Sequence, residues 1–113
     1  MSLSGQRAAI AAALSTVTDV NGYEDRPTTP RPGDAWPLLS ALDRADGLAF
    51  ETTWRVLVFL PQAERGASDW IDGHHEQLVD GLEPVGFVDR IEPVALAAAG
   101  GDQYALQITM RGE

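Results

Sequence analysis

The stretch Leu48-Ala49-Phe50-Glu51-Thr52-Thr53-Trp54-Arg55-Val56-Leu57-Val58-Phe59-Leu60-Pro61 decides the fold class. Phe50, Thr52, Trp54, Val56, Val58 and Leu60 recur at strict period two, the spacing of a strand with one buried face. Glu51, Thr53 and Arg55 take the other face. Leu57 and Phe59 then make the C-terminal half apolar on both sides, the mark of a strand inside a sheet. Pro61 has no N–H to donate and stops the strand. This reading puts Phe50 and Trp54 inside.

On the C-terminal side, Gln62–Leu82 reads as a helix. Trp70, Ile71, His74, Leu78 and Leu82 form one stripe with Val79 at its edge, Ser68 or a residue upstream starts it, and Pro84 with Gly86 ends it. A hairpin follows, with arms Phe87–Leu96 and Tyr104–Met110 around Gly100-Gly101-Asp102. In the second arm Tyr104, Leu106, Ile108 and Met110 alternate with Ala105, Gln107, Thr109 and Arg111.

On the N-terminal side, Asp43-Arg44-Ala45-Asp46-Gly47 reads as a turn, preceded by a candidate strand over Ala35–Leu42. Three prolines between Pro27 and Pro32 forbid helix and central strand there, so Gly22–Pro37 is expected to be an extended loop. Val20–Arg26 is a candidate short strand at its start. The chain opens with an Ala-rich amphipathic helix, Leu3–Val17, capped by Ser2 or Ser4. The order helix, strands, helix, hairpin predicts an α+β fold: a mostly antiparallel sheet of about four to five strands with two helices on one face. The 113 residues are one domain's worth, 1–113, with no repeats.

Composition excludes several chemistries. There is no cysteine, so disulfides, thiolate metal sites and Cys nucleophiles are out. All eight basic residues are arginine against 17 acidic ones, giving a net charge of −9. Such a chain is ill suited to grip phosphate backbones or anionic membranes, and without lysine it has no Schiff-base or P-loop chemistry. No apolar run approaches a membrane span, and the N-terminus has no secretion-signal pattern.

The candidate chemical groups weigh toward structure. His74-His75-Glu76 are adjacent on a helix, so the two histidines point about 100° apart and do not share a metal. His74 is expected half-buried on the apolar stripe, and His75 facing solvent. Gly66-Ala67-Ser68-Asp69-Trp70 lacks the last glycine of a nucleophile elbow, which leaves Ser68 as a helix cap. Trp36, Trp54 and Trp70 are expected in the core. No catalytic set, metal site or cofactor is expected.

The opening helix Gln6-Arg7-Ala8-Ala9-Ile10-Ala11-Ala12-Ala13-Leu14, the loop Arg31-Pro32-Gly33-Asp34-Ala35-Trp36-Pro37, the strand Phe50–Pro61, the Trp-containing helix and the closing Tyr104-Ala105-Leu106-Gln107-Ile108-Thr109-Met110 together set a pattern over the whole chain. It resembles the tail terminator proteins of long-tailed phages that infect actinobacteria, a resemblance of element order and composition. The resemblance implies a non-enzymatic virion protein at the tail–neck junction, assembled in the host cytoplasm. It implies a ring, a hexamer in this family, that caps the major tail tube protein, ends its polymerisation and meets the head-completion proteins of the neck. DNA would pass through the lumen without specific binding, and the acidic balance suits that passage. Another neck component, a head-closure or stopper protein, fits nearly as well. A small ligand-binding or enzymatic α+β domain built around His74, His75 and nearby carboxylates is a third reading, and a monomeric interaction module a fourth. The family offers no motif to transfer, so the interface candidates rest on this sequence: Arg26, Arg31 and Asp34 in the proline-rich loop, and Glu51 and Arg55 on the polar face of the long strand. The loop's low apolar content predicts that its loss would spare the core.

Overall fold

The computed structural model describes residues 2–44, 50–97 and 100–112. Helix α1 spans Leu3–Leu14, capped by the Ser2 hydroxyl, which accepts from the Gly5 N–H at 3.0 Å. Strands β1 (Asn21–Gly22), β2 (Asp34–Arg44) and β3 (Phe50–Phe59) follow, then helix α2 (Glu64–Leu82), a single 3₁₀ turn (Glu83–Val85), and strands β4 (Gly86–Leu96) and β5 (Gln103–Gly112). The sheet order is β1-β2-β3-β5-β4. Only the β1–β2 pair is parallel; the other three are antiparallel. The α+β reading therefore holds, with β3 in the centre.

The central strand explains the core. Thr52, Trp54, Val56 and Val58 of β3, with Leu60 just beyond it, are buried beneath the helices. Their partners on β5, Met110, Ile108 and Leu106, are buried with them. From above, α1 contributes Ile10 and Leu14, and α2 contributes Ala67, Leu78 and Leu82. Val17 lies past the end of α1 yet stays in this core, on the turn that follows the helix. Gly22 lets α1 come this close, since a Cβ there would run into the Ala11 carbonyl and sit 2.9 Å from Leu14 Cβ.

One polar cluster is set into this core. The Thr52 hydroxyl and the Trp54 indole N–H both donate to Gln6 Oε1, each at 2.9 Å. Gln6 and Thr52 are themselves buried. The requirement that buried donors find acceptors thus ties α1 to β3.

Several sequence expectations shift. Phe50 keeps the helix-side phase of β3 but lies at the strand's end and is 61% exposed. Asp43 and Arg44 belong to β2 and pair with Glu51 and Phe50, so the strand runs past the expected turn; Ala45, Asp46, Gly47, Leu48 and Ala49 lie outside the described residues. In β5, Ala105 is buried because it shares the face of the small second core beside Phe59, whereas Tyr104, near the start of the strand, is exposed. Helix α2 starts at Glu64 behind Ala63, four residues before Ser68, and no side chain caps it.

Each outer strand is interrupted. Strand β1 pairs with β2 only at Asp34 and Ala35, so most of β2 is a sheet edge, as is β4. Pro37 sits on the first and Pro93 on the second. A bulge breaks the register between Leu39 and Ala41, and another between Val88 and Arg90.

Trp54→Ala is expected to lower folding stability by roughly 3–5 kcal/mol in chemical denaturation, the cost of emptying a core aromatic site. Gln6→Ala should cost about 2–6 kcal/mol, because it removes the acceptor shared by two buried donors at roughly 1–3 kcal/mol each.

Candidate assembly interface

The sheet has a helix-covered face and an open one. The open face carries Trp36 and Leu38 from β2, and Glu51, Thr53, Arg55, Leu57 and Phe59 from β3, as the register with β2 dictates. It divides in two along the strands. At one end Trp36, Leu57 and Phe59 are buried in a second small core, with Val94 and Leu96 packed against it. At the other end stand Glu51, Thr53 and Arg55, with Leu38 beside Arg55.

The proline-rich loop covers the small core. The Arg26 guanidinium lies 5.7 Å from the centre of the Trp36 ring, and the Gly33 N–H donates to the Phe59 carbonyl at 2.8 Å. Arg26, Pro27, Thr28 and Pro30 line a shallow cleft with Ala97 and Gly100 of the β4–β5 connection and Gln103 at the start of β5. The loop is therefore a lid over apolar side chains, contrary to the expectation that the core is indifferent to it. Trp36 is 0% exposed and its indole N–H has no hydrogen-bond partner, the one buried polar side-chain atom so placed among the described residues.

The five sequence candidates separate accordingly. Asp34 turns inward at 5% exposure, where one carboxylate oxygen accepts from the Arg31 N–H at 2.9 Å and the other from Asn21 Nδ2 at 3.4 Å. It closes the base of the loop and is no part of an exposed interface. Arg31 is exposed. Arg26 is exposed but spends one face of its guanidinium on Trp36. Glu51 is engaged by Arg111 at 3.6 Å, and Arg111 also pairs with Asp89 at 3.1 Å and lies over the Phe87 ring at 4.9 Å. Arg55 is exposed and has no ion pair among the described residues.

The histidines are structural in their contacts. The His74 ring stacks on Trp70 with centroids 4.1 Å apart. His74 Nδ1 donates to the Trp70 carbonyl at 2.7 Å, and Nε2 faces Asp19 Oδ2 at 3.3 Å. His75, expected in solvent, is half-buried with Nδ1 on the Ile71 carbonyl at 2.8 Å. Trp70 is likewise half-buried rather than fully in the core. Among the described residues no group of three His, Asp or Glu side chains is arranged to hold a metal ion, and no helix is long and apolar enough to cross a membrane.

Two further features escaped the sequence reading. Leu42 (45% exposed) and Phe50 (61%) project from the joined end of β2 and β3. Their register, Leu42 opposite Thr52 and Arg44 opposite Phe50, puts Leu42, Arg44 and Phe50 on one face and Asp43 and Glu51 on the other. At the far side of the sheet an apolar groove runs between α2 and β4. Leu60, Ala67, Ile71, Ile91, Pro93 and Tyr104 line it, with Glu64 and Asp72 at its rim. No family model matches the chain, and no curated protein matches it.

Asp34→Ala should lower stability by about 1–3 kcal/mol through the loss of the loop's internal acceptor. Arg26→Ala should cost about 0.5–1 kcal/mol, the worth of an exposed cation–π contact. Thermal or urea denaturation of the two variants checks both.

Proposed function

We propose that this chain is a structural assembly subunit: a ring-forming tail terminator that caps the phage tail tube, ends its polymerisation and joins the tail to the neck. The observation that carries the assembly part is the large apolar side chains left in solvent, above all Phe50 at 61% and Phe87 at 60% exposure. Exposed aromatic residues beside charged ones have the composition of an interface centre with its rim. The terminator identity rests on the resemblance of element order and composition over the whole chain. In this reading the ring is a hexamer, the partners are the major tail tube protein and the head-completion proteins, and the site of action is the virion's tail–neck junction. DNA passes through the lumen without specific contacts, helped by a net charge of −9 on every chain. The α+β fold and the acidic charge equally suit a head-closure or stopper protein, which would bind the neck and leave tube growth alone.

Tube polymerisation separates the two. Added to the polymerising tail tube protein, the purified chain is expected to shorten the tubes and to appear as a ring at one end in negative-stain images. Tubes of undiminished length with bare ends would overturn the terminator reading.

A further inference from the structure

We propose that the strip of β4 left bare by the helices, together with the side of α2 that faces it, is the seat of a basic amphipathic helix supplied by another protein. The inference goes beyond the ring reading and does not depend on it.

The helix layer stops one strand short of the sheet's edge. Leu106 and Ile108 of β5 are fully buried under the helices. Pro93 and Ala95, on the same face of β4 and opposite Leu106 and Tyr104, are exposed. Ile91 and Tyr104 continue this strip, and Leu60, Ala67 and Ile71 join it to α2 as one apolar groove. The Tyr104 end is fixed in place. The Gln62 side-chain amide accepts from the Tyr104 N–H at 2.9 Å and donates to the Tyr104 carbonyl at 3.1 Å and the Leu60 carbonyl at 2.6 Å. A seat already formed costs little ordering when it is filled.

The edge geometry favours a helix as the occupant. Pro93 has no N–H to offer an added strand, and the register shifts between Val88 and Arg90, so contact falls to side chains. On the α2 wall, Glu64, Ser68, Ile71, Asp72 and His75 recur at helical spacing. From Glu64 to His75 is about 16 Å at 1.5 Å per residue, room for about three turns of a helix that places apolar side chains at i, i+3 or i+4 and i+7.

Charge decides the kind of helix. Along α2, Glu64, Asp69, Asp72, Glu76 and Asp80 stand against Arg65 alone, and none of the five carboxylates is in an ion pair among the described residues. Asp72, Glu76 and Asp80 repel one another at four-residue spacing, and Asp80 lies near the negative end of the helix dipole with no basic residue in the last turn. These arrangements weaken α2 on its own, and a cationic neighbour relieves them. A second copy supplies no such helix: α1 carries Arg7 alone, lying 5.9 Å from the Trp54 ring centre, and α2 is itself acidic.

The probe is a synthetic peptide of leucine, alanine and lysine, about five helical turns long, with a leucine stripe at i, i+3, i+4 and i+7 flanked by lysines. Titrated into the isotope-labelled full chain, it is expected to bind with a micromolar Kd and to shift the amide resonances of Ala67, Ile71, Ile91 and Tyr104. Asp72→Arg should weaken binding about tenfold, and Glu64→Arg with Asp72→Arg about thirtyfold, without lowering the thermal midpoint. The peptide with glutamate in place of lysine should bind that double variant and not the native chain. Ala95→Arg, at an exposed position on the strip, should weaken binding of the lysine peptide about tenfold. A scrambled peptide that binds as tightly would reduce the contact to net charge and overturn the proposal. A peptide with a central proline that binds undiminished would mean an extended occupant and overturn it too. So would absence of binding at millimolar peptide, or shifts confined to the open face of the sheet. Ring formation is expected to survive Asp72→Arg and Ala95→Arg. Its loss in both would seat a second copy on the strip and overturn the proposal, whereas a chain that binds the peptide yet forms no ring would overturn the ring reading alone.

Discussion

A tryptophan in the middle of a core brings an N–H that has to be satisfied there, and in this protein the whole helix-side packing is arranged around that need. Trp54 is central in the central strand, and Gln6 Oε1 accepts from its indole and from the Thr52 hydroxyl at once. A buried pair of donors with one acceptor admits little sliding, so the contact sets where α1 lies along β3. The closing strand leaves room for it. At Gly112 a Cβ would meet Thr52 Oγ1 at 2.6 Å and Gln6 Oε1 at 2.7 Å. Helix position, strand register and the glycine at the end of β5 are therefore one constraint seen from three elements.

The two faces of the sheet are solved differently. Under the helices, aliphatic side chains and Trp54 fill a continuous core. On the other face only Trp36, Leu57 and Phe59 are buried, beneath a loop held by a buried aspartate and an arginine lying over an indole. The Trp36 N–H that finds no acceptor shows how much less tightly that second packing meets its polar requirements. Polar and charged surface on the rest of that face is left free for other work.

Much of this was legible in the sequence. The period-two run from Thr52 to Leu60 named the buried face of β3, and Leu57 with Phe59 announced that the strand ends between two layers. Both helices, the hairpin and a cap at Ser2 or Ser4 followed from local signals. What escaped depended on distance in the chain. Phe50 has the right phase to be buried, but nothing local says that the helices stop short of it. Asp34 reads as an exposed loop charge until the Arg31 N–H and Asn21 are folded back onto it. His75 and Tyr104 were misjudged because neighbouring layers, absent from the sequence pattern, decide their exposure. Of the charged positions singled out in advance, Arg26, Arg31, Glu51 and Arg55 lie at the surface and Asp34 does not, whereas the groove exists only once β4 lies beside α2.

The strands that border the sheet over most of its length, β2 and β4, each carry a proline and a change of register, and this has a consequence for the newly made chain. An unbroken border of free N–H and C=O groups would recruit any extended chain, and copies produced together would run on into cross-β aggregates. Here the borders are spoiled as templates, so a nascent pool can accumulate without polymerising through its backbone. Contact with any other chain is thereby left to side-chain surfaces, whose fit, unlike that of a bare backbone border, depends on sequence.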